Sequence, residues 1–389
     1  MFLIRPAFAV IYIDYGVADV RVYVVMLDGV DAHGVNNVSR AVKGVLEAAN
    51  QSTITWPRFP GGPLVPYGRA LLNVECLLVN SWDWYRDIVE VGSNIVIVNI
   101  HGETIPIPRG YSKEGWVDKI AEAMIYRNIT WVHTVGYPFY YYQSQSGEWA
   151  EWGEEGFKRL MAHMGKENVT CRPPGYPDVK IYLSLGNEFG DNWVYLLSHA
   201  FFAERGNPLN GSMFSDCSLR EIWGVRDGYL TGAVLRFNKP DNPKSFGFYV
   251  HIGTRKTFNP DGGETDGDFV RAYVGAAAAI YMNAYKQIVE QQISRAEEAI
   301  RRAESEGRTK GLSEAKQLLA GAIEHFNRLG SISIIMSDFV EPAIKTATKA
   351  EKPSFVETYA KHLTILGIIG LLTASMIIKR VRNKMRNLR

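Results

Sequence analysis

Residues Ile95–Glu103 read IVIVNIHGE, an apolar run that gives way to Asn99, His101 and Glu103. Strands of a parallel sheet show such runs, because helices cover both faces of the sheet and bury every side chain. Polar residues then follow where the strand leaves the core. The stretch therefore predicts a central strand of an α/β sheet, with His101 and Glu103 just beyond its carboxyl end.

The same pattern recurs on both sides of this strand. Further strands are predicted at Val20–Leu27, Thr130–Val135, Lys180–Leu185, Gly232–Phe237 and Phe246–Ile252. Helical spacing of apolar residues falls between them at Ser39–Ala49, Lys113–Tyr126, Glu151–Met164 and Trp193–Ala203, with Ser39 and Ser112 as the expected N-caps. Alternation of strands and helices predicts a doubly wound, mostly parallel sheet over residues 1–285.

In sheets of this kind, ligands bind beyond the carboxyl ends of the strands. The chemically capable residues at those ends are His101, Glu103, Glu188 and His251. A carboxylate pair with a histidine could act as general acid and base on a saccharide. The alternative is that these side chains cap helices and bond loop backbone. No spacing in the sequence fixes the distances between them, so both interpretations stay open.

Aromatic residues cluster after the third predicted strand. The candidate binding residues among them are Tyr137, Tyr140, Tyr141 and Trp149. Flat rings could stack on a sugar or on a partner protein, because aromatic side chains are enriched at interfaces. The same rings could equally pack sideways in a large core.

The order of elements resembles the class I glutamine amidotransferase-like superfamily, in its trehalose-utilisation (ThuA-like) branch. The resemblance covers roughly residues 20–285 and is carried by VYVVMLDG, IVIVNIHGE, WVHTVGYPF and FGFYVHIGT. It implies an amidotransferase-like α/β domain. The amidotransferases of that superfamily use a cysteine at a strand-to-helix turn, but Gly136-Tyr137-Pro138 offers none, and Gly253 stands where a carboxylate would follow the histidine at His251. The resemblance therefore supports the fold and counts against glutamine hydrolysis.

The chain changes character after Asp268. Residues 286–355 predict a helical hairpin or coiled-coil stalk, which could form homo-oligomers through Leu312–Leu329 or pack on the α/β domain. Residues 356–378 predict one transmembrane helix, because Leu363–Ile378 contains no charged side chain. The basic tail at 379–389 predicts a cytoplasmic C-terminus and an extracellular domain.

Five asparagine sequons agree with an extracellular glycoprotein: Asn37, Asn50, Asn128, Asn168 and Asn210. The apolar start MFLIRPAFAVIYI contains Pro6 and lacks the form of a secretory signal. Two explanations stay open: a degenerate or misplaced start, or a tail-anchored protein with its domain inside. The charge of the basic tail favours the outside location.

Composition limits the remaining classes of function. A hydrophobic content of 46% suits a folded core, and a formal net charge of +2 does not favour a nucleic-acid partner. Cys76, Cys171 and Cys217 form no disulfide framework and no zinc spacing, although a Cys171–Cys217 bridge stays open. The acidic loop Asp261–Asp268 is expected to be solvated and to cap the next helix through Asp268, so no metal or cofactor is predicted.

Together these features predict a single-pass surface protein in the lipid bilayer. Its domain is expected to bind an envelope protein or a glycan without catalysis. The alternative is a membrane-anchored hydrolase that acts on saccharide.

Overall fold

A computed structural model describes residues 12–56, 67–169, 181–182, 202–206, 209–210, 219–224, 229–258, 267–353, 371–377 and 379–380. Their strands are β1 Tyr12–Val25, β2 Thr53–Trp56, β3 Tyr67–Val79, β4 Ile95–Asn99, β5 Thr104–Ile107, β6 Thr130–His133, β7 Tyr141–Ser144, β8 Trp149–Glu151, β9 Ile181–Tyr182, β10 Phe202–Gly206, β11 Leu209–Asn210, β12 Leu219–Gly224, β13 Tyr229–Lys239, β14 Asn242–Ile252 and β15 Thr254–Phe258. Twelve of them form one sheet, in the order β15-β10-β9-β12-β13-β14-β6-β4-β1-β3-β2 with β11 on β13. The other three form a small sheet, β5-β7-β8.

The predicted α/β fold is confirmed, with parallel strands at the centre of the large sheet. Strands β14, β6, β4, β1 and β3 run parallel to one another in that order. Every residue of β4 is buried, as the apolar run Ile95–Asn99 predicts. Strand β3 was not predicted, because its buried residues alternate with exposed ones and polar side chains interrupt the apolar pattern.

The part of the large sheet beyond β14 departs from the predicted parallel arrangement. Strand β13 pairs antiparallel with β14 and β12, and Ile181–Tyr182 pairs antiparallel with its neighbours. The predicted helix Trp193–Ala203 is wrong at its end, because Phe202 and Ala203 belong to strand β10. Its other residues lie outside the described residues. Hydrophobic periodicity does not encode strand direction, so the sequence could not distinguish these pairings.

The described helices are α1 Val38–Ala49, α2 Trp82–Val91, α3 Lys113–Arg127, α4 Glu155–Ala162, α5 Gly267–Ser305, α6 Leu312–Asn327, α7 Ile332–Ile334 and α8 Glu341–Lys349, with a π-helical segment Ile335–Val340 before α8. Helices α2, α3 and α4 share a core cluster with Ile97, Trp131 and Tyr249 of the sheet. On the other face, Gly275 of α5 packs so closely that an added Cβ would lie 2.9 Å from Val132 Cγ1. Helices therefore cover both faces of the central strands, as predicted for a doubly wound sheet.

Two predicted N-caps have different outcomes. Ser112 caps α3 as expected, since its hydroxyl accepts a hydrogen bond from the backbone N–H of Gly115. Ser39 does not cap α1: the helix begins at Val38, and the side chain of Asn37 accepts from the N–H of Arg40. Asparagine and serine are similarly good caps, so propensity alone does not choose between neighbouring positions.

Two helix boundaries also need correction. Helix α4 is shorter than the predicted Glu151–Met164, because Trp149–Glu151 pairs with β7 as a strand. Asp268 is not an N-cap, since α5 already begins at Gly267. Its carboxylate instead accepts a hydrogen bond from the backbone N–H of Asn37 and forms an ion pair with Arg271.

Side chains of α5 complete one edge of β1. Strand β4 pairs with Arg21–Val25, and glutamines of α5 bond the earlier part of that edge. The amide of Gln287 both accepts from the N–H of Asp19 (3.0 Å) and donates to its carbonyl (2.7 Å). Gln291 and Gln292 donate to the carbonyls of residues 17 and 15. A helix thus supplies hydrogen bonds that a neighbouring strand would otherwise make.

Substitution of Gln287 by alanine is expected to lower the free energy of unfolding by about 1–2 kcal/mol, because two backbone hydrogen bonds lose their partner. Urea denaturation measures this difference. The control is Gln317→Ala on the exposed face of α6, which should change stability by less than about 0.5 kcal/mol. Equal effects of the two changes would show that the amide does not stabilise the edge of β1.

The chain divides into two compact units. The first comprises residues 1–292 and Ile323–Met336. The second comprises Ile293–Ala322 and the chain from Ser337 onward, and its core contains Ile300, Ala303, Leu312, Ala315, Ala347 and Ala350. Within it, the guanidinium of Arg308 donates to carbonyl oxygens at the end of α8.

Within the described part of the chain, no helix combines the length and apolar character needed to span a bilayer. Most of the predicted span 356–378 lies outside the described residues. Residues 371–377 are helical, and Leu371, Leu372, Met376 and Ile377 on this helix are exposed. The transmembrane helix therefore stays a prediction.

Candidate functional site

Glu103 lies in the turn after β4 and joins three loops at the carboxyl edge of the sheet. Its N–H donates to the carbonyl of His33 (3.0 Å), and its carbonyl accepts from the N–H of Tyr141 (3.1 Å). Its side chain is buried, and Oε1 accepts from the backbone N–H of Tyr137 (3.1 Å). A buried carboxylate with a charge-assisted hydrogen bond is held in one orientation. Glu103 was predicted from the sequence as a site residue, and the structure places it at the centre of the candidate site.

Glycines make room for this carboxylate. Gly136 has a left-handed φ of +66°, and an added Cβ there would overlap Oε1 of Glu103. Gly102 has φ +64°, and a Cβ there would overlap the carbonyl of His33. Residues with side chains rarely adopt this backbone region, whereas glycine does so at little cost. The turns after β4 and β6 are therefore shaped around Glu103 and His33.

His33 stands beside Glu103 on the loop that follows β1. Its Nε2 lies 4.0 Å from Oε2 of Glu103, and its Nδ1 lies 4.0 Å from Oδ2 of Asp31. The side chain of His33 is 42% exposed, against 2% for Glu103. The ring of Tyr141 packs on the imidazole with centroids 4.2 Å apart. The structure thus brings an accessible imidazole between one buried and one exposed carboxylate.

Asp31 is also fixed in place. Its backbone N–H donates to Oε1 of Gln143 (2.7 Å), whose Nε2 donates to the carbonyl of Gly29 (2.8 Å). The hydroxyl of Thr104 donates to Oδ2 of Asp31 at 3.4 Å. Neither Asp31 nor His33 was predicted from the sequence as a site residue. The signal that could have found them is the rule used for His101 and Glu103, since they follow the end of the first predicted strand.

An aromatic surface adjoins these residues, formed by Tyr140, Tyr141 of β7 and Trp149 of β8, while Tyr142 lies on the opposite face of β7. The rings of Tyr141 and Trp149 stack nearly parallel, 5.0 Å apart with 12° between their planes. Tyr140 meets Tyr141 edge to face at 5.0 Å. Trp149 is 47% exposed, so its ring is open to solvent. Three of the four predicted binding residues therefore lie together on this surface.

Carboxylates and a cation hold two of the tyrosines, Tyr140 and Tyr142. The Tyr140 hydroxyl donates to Glu151 (2.7 Å) and the Tyr142 hydroxyl to Glu148 (2.6 Å). These hydrogen bonds are the main reason that both tyrosine pKa values are raised. The Lys113 ammonium lies 4.6 Å from the centroid of Tyr142. The surface is thus ordered before any ligand arrives.

Tyr137, the fourth predicted binding residue, has a different position. It is 3% exposed, and its ring packs edge to face against Tyr140 at 5.2 Å. Its backbone N–H orients Glu103. Tyr137 therefore supports the aromatic surface from beneath.

His101 is buried between the ends of β1 and β4. Its Nε2 accepts a hydrogen bond from the backbone N–H of Leu27 (2.9 Å), so the ring is neutral. Burial lowers its pKa to about 4. The side chain of Asn99 accepts from the N–H of His101 and donates to the carbonyl of Thr104, which fixes the turn. Here His101 joins two strand ends.

His251 is fully buried in the core, in register with His133 of the neighbouring strand. The two imidazoles stack with centroids 5.7 Å apart. His133 donates from Nε2 to the carbonyl of Gly136 (3.1 Å), and burial, with His251 nearby, lowers its pKa to about 3. Tyr249 and Phe157 also contact the His251 ring. Glu188, the remaining predicted site residue, lies outside the described residues.

The arrangement of Asp31, His33 and Glu103 is not that of a metal-binding site. Asp31 and Glu103 face opposite nitrogens of His33, so one ion could not contact all three side chains through the imidazole. Among the described residues, no group of three or more His, Cys, Asp or Glu side chains could hold a metal ion. Cys76 is a free thiol whose burial raises its pKa to about 11, which disfavours the reactive thiolate.

No model of a known protein family matches this chain, and no curated protein shows significant sequence similarity to it. A function must therefore be argued from the site itself.

Proposed function

We propose that this protein is a membrane-attached binding protein whose α/β domain recognises a saccharide carried by a partner at the cell surface. The observation that carries the proposal is the aromatic surface at the carboxyl edge of the sheet. Its stacked pair, Tyr141 and Trp149, presents an exposed indole beside hydrogen-bonding carboxylates.

The chemistry of this surface suits a sugar. The C–H face of a pyranose is apolar and packs on a flat ring, while its hydroxyls need acceptors at the rim. Glu148 and Glu151 each accept one tyrosine hydroxyl. A carboxylate has about four acceptor sites, so each can bond ligand hydroxyls as well.

The surface is also preorganised. Strands β7 and β8 pair in register, with Gln143 opposite Trp149. The tyrosine hydroxyls and the Lys113 ammonium restrict the rings further. A surface that is already ordered loses little side-chain entropy on binding, which leaves more of the contact energy for affinity.

The proposed domain is a relative of the amidotransferase-like superfamily that lacks the thiol needed for glutamine hydrolysis. The parallel order of the central strands supports this assignment, as does the turn after β6, where Gly136-Tyr137-Pro138 offers no thiol. Fold resemblance by itself does not transfer an activity.

Membrane attachment is the second part of the proposal. Residues 356–378 would cross the bilayer, with the domain outside and the basic tail 379–389 in the cytoplasm. The exposed apolar side chains of helix 371–377 support a lipid-facing helix. Protease treatment of intact cells tests the orientation: the domain should be digested, and its protection would contradict an extracellular location.

Replacement of Trp149 or Tyr141 by alanine is expected to weaken saccharide binding at least tenfold, since exposed aromatic anchors dominate such interfaces. Glycan-array screening of the full-length protein, followed by calorimetry on the best ligand, measures the effect. The matched control is Tyr126→Ala. This tyrosine is 50% exposed and lies near the end of α3, the helix that precedes β6. Wild-type affinity in Trp149→Ala would reject the aromatic surface as the binding site.

A further inference from the structure

His33 has a setting that binding alone does not require. Its imidazole is accessible, its two nitrogens face separate carboxylates at 4.0 Å, and its ring packs on Tyr141. Each carboxylate is itself positioned, that of Glu103 by the N–H of Tyr137 and that of Asp31 by the Thr104 hydroxyl, while Gln143 bonds the backbone of Asp31. An accessible imidazole beside fixed carboxylates, whose charges stabilise its protonated form, is suited to moving protons in general acid–base catalysis.

The same geometry excludes other chemistries. The imidazole fills the space between Asp31 and Glu103, so this pair cannot flank a glycosidic bond as paired carboxylates do in glycosidases. Transfer of a phosphoryl group needs cations around the reacting oxygens, whereas the groups that face His33 are acidic. What remains is proton transfer to and from water by one imidazole.

We propose that His33 is the general base and acid of a hydrolytic site for carboxylic esters, with Glu103 and Asp31 as positioning residues. The buried Glu103 carboxylate lies 4.0 Å from Nε2, which is too far for a hydrogen bond. Its charge in a poorly solvated position favours the tautomer with the proton on Nε2, which leaves Nδ1 as the base. Asp31, on the Nδ1 side, stabilises the imidazolium that forms when Nδ1 takes a proton.

The reaction balances without a cofactor. The oxygen of a water molecule adds to the acyl carbon while one water proton passes to Nδ1 of His33. The tetrahedral intermediate then collapses, the bond from the acyl carbon to the alcohol oxygen breaks, and the departing alkoxide takes the proton back from Nδ1. Ester and water become carboxylic acid and alcohol, and His33 returns to its starting form.

The substrate class follows from the neighbourhood of His33. Tyr141 contacts both His33 and Trp149, so a ligand stacked on the aromatic surface would place its substituents near the imidazole. An O-acylated saccharide fits this arrangement; this choice of substrate rests on the proposed saccharide binding, whereas the hydrolytic site itself does not.

Hydrolysis of p-nitrophenyl acetate by the full-length protein tests the site, because this ester contains no sugar and does not depend on saccharide binding. His33→Gln is expected to lower kcat/KM by about 100-fold or more, the usual contribution of a general base. The control is His163→Gln. Nε2 of His163 also faces a carboxylate, at 2.9 Å from Oδ1 of Asp118, but this histidine lies directly after α4. Its removal should change the rate less than twofold.

The roles of the positioning residues are tested separately, through kcat and KM of their variants. Asp31→Asn and Glu103→Gln are expected to lower kcat by about tenfold while KM stays unchanged, because a misplaced base slows the chemical step. Asp31 is exposed, so its variant tests the role even if Glu103→Gln fails to fold. Equal loss of activity in the His33 and His163 variants, or no saturable hydrolysis by the wild type, would overturn the proposal.

Discussion

Acidification from pH 7 to pH 4 is expected to destabilise the α/β domain by several kcal/mol, and two buried histidines account for most of this effect. Burial lowers the pKa of His133 to about 3 and that of His101 to about 4, from an ordinary value of 6.5. Between pH 6.5 and 4 the two histidines therefore bind protons in the unfolded chain but stay largely neutral in the folded chain.

The direction follows from where each state binds its proton. Above pH 6.5 both histidines are mostly neutral in the folded and the unfolded states, so their protonation does not lower the free energy of unfolding there. As the pH falls below 6.5 the unfolded state is protonated first, so the free energy of unfolding decreases until the folded pKa is reached. At pH 4 each histidine contributes a loss of about 3 kcal/mol, in a domain whose total stability is expected to be about 5–15 kcal/mol.

The substitution His133→Asn isolates one of these groups. Asparagine does not titrate, although its shorter side chain loses the hydrogen bond that Nε2 of His133 donates to the carbonyl of Gly136. The variant should be less stable at pH 7, yet its unfolding free energy should fall by about 3 kcal/mol less than that of the wild type between pH 7 and pH 4. Urea denaturation across this pH range gives both quantities.

The control for the acid series is Gln317→Ala, because Gln317 is exposed on α6 and does not titrate. Its pH dependence should follow that of the wild type. If His133→Asn and the wild type show the same slope of unfolding free energy against pH, burial of His133 does not cause the acid sensitivity.

Gly136→Ala is expected to lower the free energy of unfolding by about 3 kcal/mol or more. Alanine in the left-handed region costs about 1–2 kcal/mol. The added methyl would also displace the buried Glu103 carboxylate from the N–H of Tyr137, and a hydrogen bond to a charged group contributes about 1.5–3 kcal/mol. Denaturation in urea, monitored by tryptophan fluorescence, measures the change.

Gly147→Ala is the matched control. Gly147 also has a positive φ, +91°, but nothing lies within 4 Å of an added Cβ. This change should therefore show only the conformational cost, about 1–2 kcal/mol. Equal losses in the two variants would mean that Gly136 does not make room for Glu103.

Local pattern was enough to predict the central strands. The run Ile95–Asn99 is buried at every position, and so are Thr130–His133 of β6 and residues 246–252 of β14. A strand that is buried on both faces of the sheet is a continuous apolar segment, and such a segment is recognisable in the sequence. The cap at Ser112 was predicted for a similar reason, since a hydroxyl cap is a local signal.

The pairing partners were not local. Trp149–Glu151 is a strand because β7 lies beside it, and Ile181–Tyr182 is antiparallel because of its neighbours in the sheet. Hydrophobic spacing records which side chains are buried but not which strand lies next to them or in what direction. The predicted parallel arrangement therefore failed outside the central strands.

The candidate site divides in the same way. Composition and periodicity are properties of one segment, so they were enough to predict that His101 and Glu103 follow a buried strand and that the tyrosines cluster after the next strand. The burial of His101, and the position of His33 within 4.0 Å of the Glu103 carboxylate although it lies 70 residues earlier in the chain, depend on how the segments pack. Contacts between segments depend on sheet order and on the shape of turns such as Gly136, and these arise only when the strands pack together.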